Sequence, residues 1–280
     1  MLTRRHLLLA GPALATLAAC GGADGGPSTG ADARGGEPAA GADAASVPGM
    51  LRARVATALG TVTLDEPTDA PQADEPSWST RLPPAARRVA DVWGTSRPSG
   101  RTDALHVTVC ADDAAFAAAS DGLDADTAGV TTSRGVFLAP SVSTSLTEPG
   151  RRAVLAHELT HLWLGQYGDD GSSWWIKEGA AEWTAAPLAP MPARSRWPQL
   201  VQATSAGRIV DGPPPASEVG SELGYEWAHA YVAHLAERLG MDAVRDLVLG
   251  REDASSVQAQ VRTGRPSFGA WVSAQARGAE

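Results

Sequence analysis

The sequence has little positive charge. Lysine and arginine together number 23 against 32 aspartate and glutamate residues, which gives a formal net charge of -9. Only one of the basic residues, Lys177, is a lysine. Binding to a nucleic acid requires a basic surface that neutralises the phosphates. The composition therefore argues against nucleic acid as a partner.

Cysteine is scarce as well, since the 280 residues contain only Cys20 and Cys110. Two cysteines exclude a fold held together by several disulfides. Cys110 ends the apolar run Leu105–Cys110. We therefore expect it to be a small buried residue of the core.

The N-terminus carries an apolar run, Leu7–Leu17, that is shorter than the roughly 20 residues of a membrane span. It follows Arg4 and Arg5 and leads into Cys20, and this arrangement resembles a bacterial lipobox, whose cysteine is lipidated and becomes the mature N-terminus. The segment Thr3–Leu8 also resembles a twin-arginine export signal. Residues 1–20 are therefore predicted to be a lipoprotein signal peptide. We expect an exported protein, anchored by a lipid on Cys20 to the extracytoplasmic face of the cell membrane.

Residues 21–48 consist almost entirely of small and polar residues, which cannot bury enough apolar surface to offset the entropy of ordering. We predict a flexible tether over residues 21–78, rich in Gly, Ala, Pro and Asp. Within it, Met50–Val62 contains apolar residues and could add a strand or a short helix. The folded domain is expected to cover residues 79–280.

Strand patterns come first in this domain and helix patterns follow, which indicates an α+β fold. Alternation and β-branched residues predict strands at residues 105–111, 128–132 and 135–139. Helical spacing predicts helices at residues 83–93, 112–116, 151–165, 174–186, 221–239, 242–249, 255–261 and 267–276.

The segment His157–His161 reads HELTH. Two histidines four residues apart on a helix lie on one face, one turn apart, so that their ring nitrogens can converge on one zinc ion. Glu158 can then reach a water molecule on that ion, which is how this motif works in metallopeptidases. Apolar residues flank the motif on both sides, so we expect the helix to be buried.

A catalytic zinc ion needs a third protein ligand and an open coordination position. Glu178 follows His161 by 17 residues on a second predicted helix, and a turn between the helices would bring it to face both histidines. Glu182 lies one turn further along the same face. Two roles are open for Glu182: it either accepts a hydrogen bond from a ligand histidine or is a solvated helix charge.

The HELTH segment followed by Trp175–Glu182, which fits the pattern WxxEGxAE, resembles the gluzincin zinc metallopeptidases, and in particular the peptidase MA-like domains of bacterial envelope lipoproteins. The resemblance covers roughly residues 80–280. It implies that His157, His161 and Glu178 bind Zn²⁺ and that Glu158 is the general base. It also implies a zincin-like fold, in which a small mixed β-sheet subdomain precedes a mainly helical one and the active-site helix lies between them.

A peptidase must also stabilise the oxyanion that forms on the attacked carbonyl. The segment Gly224–Ala228 resembles the tyrosine-bearing segment of the aminopeptidase family, which makes Tyr225 the candidate donor. His229 lies one turn further and is the rival candidate, because thermolysin-like enzymes use a histidine for this role. We expect His106 and His234 to have structural roles.

The resemblance implies a peptide or protein substrate. An extended peptide could add to a sheet edge such as Gly135–Ala139, which favours an endopeptidase. The Gly-x-Met-Glu-Asn segment that binds the free amine in related aminopeptidases does not occur in this sequence. Two other classes stay open: an envelope interaction module with a structural or vestigial zinc site, and a hydrolase of a non-peptide amide.

Overall fold

The computed structural model describes residues 49–68, 76–98, 104–120, 127–167, 173–262 and 266–278. The predicted signal peptide and the first part of the predicted tether, up to residue 48, lie outside these ranges. Within the described ranges, no helix combines the length and the apolar character that crossing a membrane requires.

A five-stranded mixed sheet forms the first part of the fold, and its strands lie in the order β1-β2-β3-β5-β4. The pairs β1–β2 and β4–β5 are antiparallel, whereas β2–β3 and β3–β5 are parallel. The mixed sheet is thereby confirmed, together with the strands predicted near residues 105, 128 and 135. The strands are β1 (Met50–Thr57), β2 (Gly60–Pro67), β3 (Leu105–Val109), β4 (Gly129–Thr132) and β5 (Gly135–Leu138).

The hairpin β1–β2 occupies a region that the sequence assigned to the tether. Val62 and Leu64 of β2 are at most 1% exposed and belong to the core, and the Arg52 Nε of β1 lies 2.7 Å from an Asp65 carboxylate oxygen of β2. The prediction of a tether is therefore wrong for residues 50–67, and the strand alternative for Met50–Val62 is right. Parallel pairing of β2 with β3 orders this segment, and Val62 pairs with Leu105, which is 43 positions away, so local composition cannot predict the pairing.

The edge of the sheet also differs from the prediction. Strand β5 pairs with β3 on one side and with β4 on the other. The segment Gly135–Ala139 is therefore not a sheet edge to which a peptide could add, and β4 is the outer strand instead. The reason is the pairing: β4 and β5 form an antiparallel hairpin, and β5 also pairs in parallel with β3, which leaves the free edge to β4.

The second part of the fold is mainly helical. Every helix predicted from spacing is present within a few residues, whereas α3, α6 and α7 had no counterpart in the prediction. The helices are α1 (Trp78–Trp93), α2 (Asp113–Ala119), α3 (Pro140–Ser145), α4 (Glu148–Leu164), α5 (Trp174–Ala185), α6 (Ala193–Arg196), α7 (Pro198–Ser205), α8 (Glu222–Leu239), α9 (Met241–Val248), α10 (Ala254–Arg262) and α11 (Phe268–Arg277).

Helix α4 joins the two parts, since it packs against β4 and β5 of the sheet and against α1 and α5 on the helical side. Nearly all of its residues from Gly150 onward are buried. A helix that is buried on all sides needs apolar or paired side chains around its whole circumference. The polar residues in its middle, His157, Glu158 and His161, therefore need partners, and within the described residues the candidate site is where these partners and the atoms left without one lie.

Helices α5 and α8 approach each other closely at Gly179, the residue after Glu178. A Cβ atom at this position would lie 2.5 Å from the backbone oxygen of Ala228 and 2.6 Å from Cγ2 of Val232. Only a glycine permits this distance between the two helices. The close contact keeps the segment that carries Glu178 against α8.

We expect Gly179→Ala to destabilise the protein, because the added methyl group meets backbone that cannot yield without moving a helix. Overpacking of this kind costs about 1–3 kcal/mol of unfolding free energy. Chemical denaturation monitored by far-UV circular dichroism measures the change.

The matched control is Gly269→Ala, since Gly269 lies in the first turn of α11 and the nearest atom to its added Cβ is 3.9 Å away. The control should keep the wild-type stability within about 0.5 kcal/mol. Equal stabilities of the two variants would contradict the close contact at Gly179.

Candidate metal centre

The two histidines of the motif lie in the middle of α4. The helix begins where the Thr147 hydroxyl accepts a hydrogen bond from the Gly150 amide at 3.3 Å, and it ends at Gly165, which adopts a left-handed φ of 73°. His157 and His161 have no exposed surface, and their Nε2 atoms lie 3.1 Å apart. The helical spacing thus brings both rings to one buried point, as the sequence predicted.

Glu178 on α5 completes the group. Its Oε2 atom lies 3.4 Å from His157 Nε2 and 3.6 Å from His161 Nε2, and it is only 1% exposed. The ligands of a tetrahedral zinc ion at 2.0–2.2 Å from the metal lie about 3.3–3.6 Å from one another. The separations of the three atoms, 3.1, 3.4 and 3.6 Å, are close to this geometry. The residues therefore form a group that could bind a metal ion.

The charges of the group favour a cation at this point. Burial disfavours the charged form of Glu178, but His161 and His157 outweigh it and hold the carboxyl pKa below its usual value. Burial likewise opposes a charge on His157, but Glu178 and Glu182 raise its pKa well above the usual value. In addition, Glu178 Oε2 accepts no hydrogen bond from the described part of the chain. A buried carboxylate oxygen without a donor is an available ligand atom.

We call His157, His161 and Glu178 the metal group. Glu182 lies next to this group rather than in solvent. Its Oε1 atom is 3.5 Å from His157 Nδ1, and its side chain is 17% exposed. A ligand histidine that coordinates through Nε2 carries its proton on Nδ1 and can direct it to such a carboxylate. Of the two roles that the sequence left open for Glu182, this ion-pair distance favours a partner of His157 over a solvated charge, although His157 Nδ1 makes no hydrogen bond within the described residues.

Glu158 is fully buried beside the metal group. The Thr131 hydroxyl of β4 lies 2.6 Å from its Oε2 atom, at a distance typical of a charge-assisted hydrogen bond. Burial raises the pKa of Glu158, whereas His157, His161 and the bond from Thr131 act against this increase. A carboxyl group whose pKa is raised above its usual value is a stronger base and is suited to accept and return a proton.

Two residues at Glu158 were missed by the reasoning from sequence, namely Thr131 and Gly129 of β4. A Cβ atom at Gly129 would lie 3.0 Å from Cγ of Glu158, so the strand passes directly over the glutamate. The sequence predicts a strand at residues 128–132 and places both residues on one face of it. It contains no signal that this face lies against α4.

Both candidates for the oxyanion donor, Tyr225 and His229, lie on α8 and line one cavity of about 190 Å³. Glu182 lines the same cavity, which therefore lies next to the metal group. The Tyr225 ring packs edge-on against Trp174, with 4.9 Å between the ring centroids. The cavity is otherwise largely apolar, with Ala153, Ala185, Met191 and Trp197 among the lining residues.

The donor atom of His229 is fixed by its neighbour. The Trp197 indole Nε1–H donates a hydrogen bond to His229 Nδ1 at 3.2 Å, so that the neutral ring carries its own proton on Nε2. Burial, Arg196 and His157 lower the pKa of His229 to about 3. The ring is therefore neutral near pH 7 and can donate only through Nε2.

The residues that the sequence predicted to be structural lie away from the metal group. His234 is buried among the rings of Tyr231, Phe268 and Trp271, with centroid separations between 5.1 and 6.5 Å, and burial lowers its pKa. His106 Nε2 lies 2.8 Å from a carboxylate oxygen of Asp65 in the sheet. Cys110 is buried, as expected, and burial raises the pKa of its thiol to about 11, which makes it unreactive.

The fold and the site together define an α+β protein with a buried His–His–Glu group that could hold a metal ion. Residues 72–204 match the family described as "Peptidase of plants and bacteria". The match supports a peptidase-like domain, which implies a peptide or protein substrate, and it spans Glu158 and the three residues of the metal group but ends before Tyr225 and His229. No curated protein sequence matches the chain.

Proposed function

We propose that the chain is a zinc-dependent peptidase of the gluzincin type. The observation that supports this most directly is the arrangement of His157, His161 and Glu178, with three ligand atoms within 4.8 Å of one another and Glu158 adjacent to them. The donor set of two imidazoles and one carboxylate is that of catalytic zinc sites. These three residues would hold the ion.

Zinc, when bound in such a site, polarises the substrate carbonyl and lowers the pKa of a water molecule to about 7. Glu158 takes one proton from the attacking water and passes it to the amide nitrogen as the carbon–nitrogen bond breaks. Glu182 orients His157 through Nδ1. Tyr225 or His229 donates a hydrogen bond to the oxyanion that develops on the carbonyl.

The substrate would be an extended peptide that pairs with the outer edge of β4. This strand lies against α4 at Glu158, so a peptide at its edge would run past the metal group. Such a peptide extends in both directions from the cleaved bond, which favours an endopeptidase.

The N-terminal sequence supports the further proposal that the enzyme is exported and held at the outer face of the cytoplasmic membrane by a lipid on Cys20. Labelling of cells with palmitate tests this proposal. The full chain should incorporate the label and Cys20→Ala should not, and equal labelling of the two proteins would refute the anchor.

The peptidase proposal is tested by incubation of the full chain with a broad peptide library, with and without a chelator, and by analysis of the products by mass spectrometry. We expect cleavage inside peptides that stops on metal removal and returns with zinc. Cleavage that is insensitive to the chelator would refute the metal mechanism. Zinc binding without any cleavage would instead favour a structural zinc site in an interaction module, and cleavage of non-peptide amides alone would favour the other hydrolase class.

A specific prediction concerns Tyr225. If its hydroxyl donates to the oxyanion, Tyr225→Phe should lower kcat by about 10²–10³-fold, the usual cost of one such donor, and should leave KM and the zinc content nearly unchanged. Steady-state kinetics on the best library peptide measures both constants.

The comparison variant is Tyr231→Phe, since Tyr231 is a buried residue of the same helix that packs against Trp175. It should keep kcat within about threefold. A full loss in His229→Phe, with wild-type kcat in Tyr225→Phe, would assign the role to His229 instead.

A further inference from the structure

The hydroxyl of Thr131 faces two acceptors on the same residue. It lies 2.6 Å from Oε2 of Glu158 and 2.9 Å from the backbone oxygen of Glu158. A hydroxyl has one proton and can donate to only one acceptor at a time. The shorter distance and the negative charge favour the carboxylate. Thr131 is 6% exposed and Glu158 is fully buried, so water does not compete for this bond.

Gly129 constrains the same side chain from the same strand face. A Cβ atom at this position would lie 3.0 Å from Cγ and 3.1 Å from Oε1 of Glu158. The strand is therefore so close that it limits where the carboxylate can lie, while Thr131 holds one of its oxygens. Oε1, in contrast, accepts no hydrogen bond within the described residues.

We infer that Thr131 is a positioning residue for the general base: its hydroxyl anchors Oε2 of Glu158, Gly129 provides the space for the carboxylate, and Oε1 is thereby directed to the proton that is transferred. This inference rests on the proposed peptidase function. It assigns different tasks to the two carboxylate oxygens, which the sequence motif alone does not distinguish.

The chemistry of a hydroxyl suits this task during the whole reaction. While Glu158 is a carboxylate, Thr131 donates to Oε2. Once Glu158 carries the proton from the attacking water on Oε1, its Oε2 is a carbonyl-type oxygen and still accepts the hydrogen bond from the Thr131 hydroxyl. The anchor therefore persists in both states of the base.

Kinetics of two variants test the inference. Thr131→Val keeps the shape of the side chain and removes the donor, so we expect kcat to fall about 10- to 100-fold with KM within about twofold, because the base is misplaced by a fraction of an ångström. Thr131→Ser keeps the donor and should retain kcat within about threefold of the wild type. Wild-type kcat in the valine variant, or equal losses in both variants, would overturn the inference.

A control separates positioning from the mere loss of a buried hydroxyl. Thr184 of α5 is also fully buried and donates its hydroxyl to the Ala180 carbonyl at 2.7 Å, remote from Glu158 in the hydrogen-bond network. Thr184→Val should lower the melting temperature without lowering kcat. All variants should retain one zinc ion per chain by metal analysis, and a lower zinc content in Thr131→Val would show that the residue acts on the metal group instead.

Crystal structures of the zinc-loaded variants test the inference without turnover. In Thr131→Val the carboxylate of Glu158 should leave its position, whereas in Thr131→Ser it should keep the contact with the hydroxyl. An unchanged carboxylate in the valine variant would refute the inference even if the enzyme is active. If the wild-type chain cleaves no peptide, the proposed function fails, and the structures still decide whether Thr131 holds Glu158.

Discussion

Replacement of Glu158 by glutamine should leave the metal bound and remove most of the activity. Glutamine has nearly the shape of glutamate and its amide oxygen can still accept the hydrogen bond from Thr131, but it cannot take a proton from water. A positioned general base contributes about 10²–10⁴-fold to a rate, so kcat should fall by at least 10²-fold. Stopped assays of peptide cleavage and metal analysis of the same samples measure both quantities.

The matched control is Glu148→Gln, the same substitution in the first turn of α4. Glu148 pairs with Arg81, with 2.7 Å between Oε2 and Nε, and is remote from the metal group. This variant should keep kcat within about threefold but lose stability, because it removes the negative charge that pairs with the buried Arg81. Cleavage by Glu158→Gln at a rate within tenfold of the wild type would contradict the assignment of Glu158 as the base.

The double substitution His157→Ala, His161→Ala should abolish metal binding. Only Glu178 then remains of the three ligand residues. A single carboxylate binds zinc too weakly to retain it during dialysis. We expect one zinc ion per wild-type chain and less than about 0.1 in the variant after dialysis. Cleavage should fall to the background rate.

Added zinc should also stabilise the wild type but not the His157→Ala, His161→Ala variant. A ligand that binds the folded state at 100 times its dissociation constant adds about 2.7 kcal/mol to the free energy of unfolding. The melting temperature of the wild type should therefore rise with added zinc, and that of the double variant should not. The control is His234→Phe, whose new ring lies among aromatic rings and whose metal content should equal that of the wild type. A double variant that retains zinc would refute the proposed ligands.

The metal group could be predicted from the sequence because its geometry is local. Spacing of four residues fixes His157 and His161 on one face of α4, and a short connection to α5 leaves few ways to place Glu178. The same reasoning gave most helices within a few residues. The overall α+β order of the fold followed from the same periodicities.

The parts that could not be predicted depend on contacts between distant segments. Strand β2 is ordered by β3, which begins 38 residues after β2 ends, so local composition suggested a tether. The order of β4 and β5 depends on which of these two strands pairs with the free side of β3. No pattern within residues 129–138 predicts which strand it is. The contact between Thr131 and Glu158 joins residues 27 positions apart, and it exists only because α4 packs under the outer strand.

The structure gives the only lysine of the sequence a defined position. Lys177, the only lysine in the sequence, lies on α5 immediately before Glu178 and is half-buried. The sequence therefore contains a single side-chain amine, on the residue immediately before the candidate ligand Glu178. A reagent that acylates side-chain amines can therefore attach at only one position, on the helix that carries Glu178.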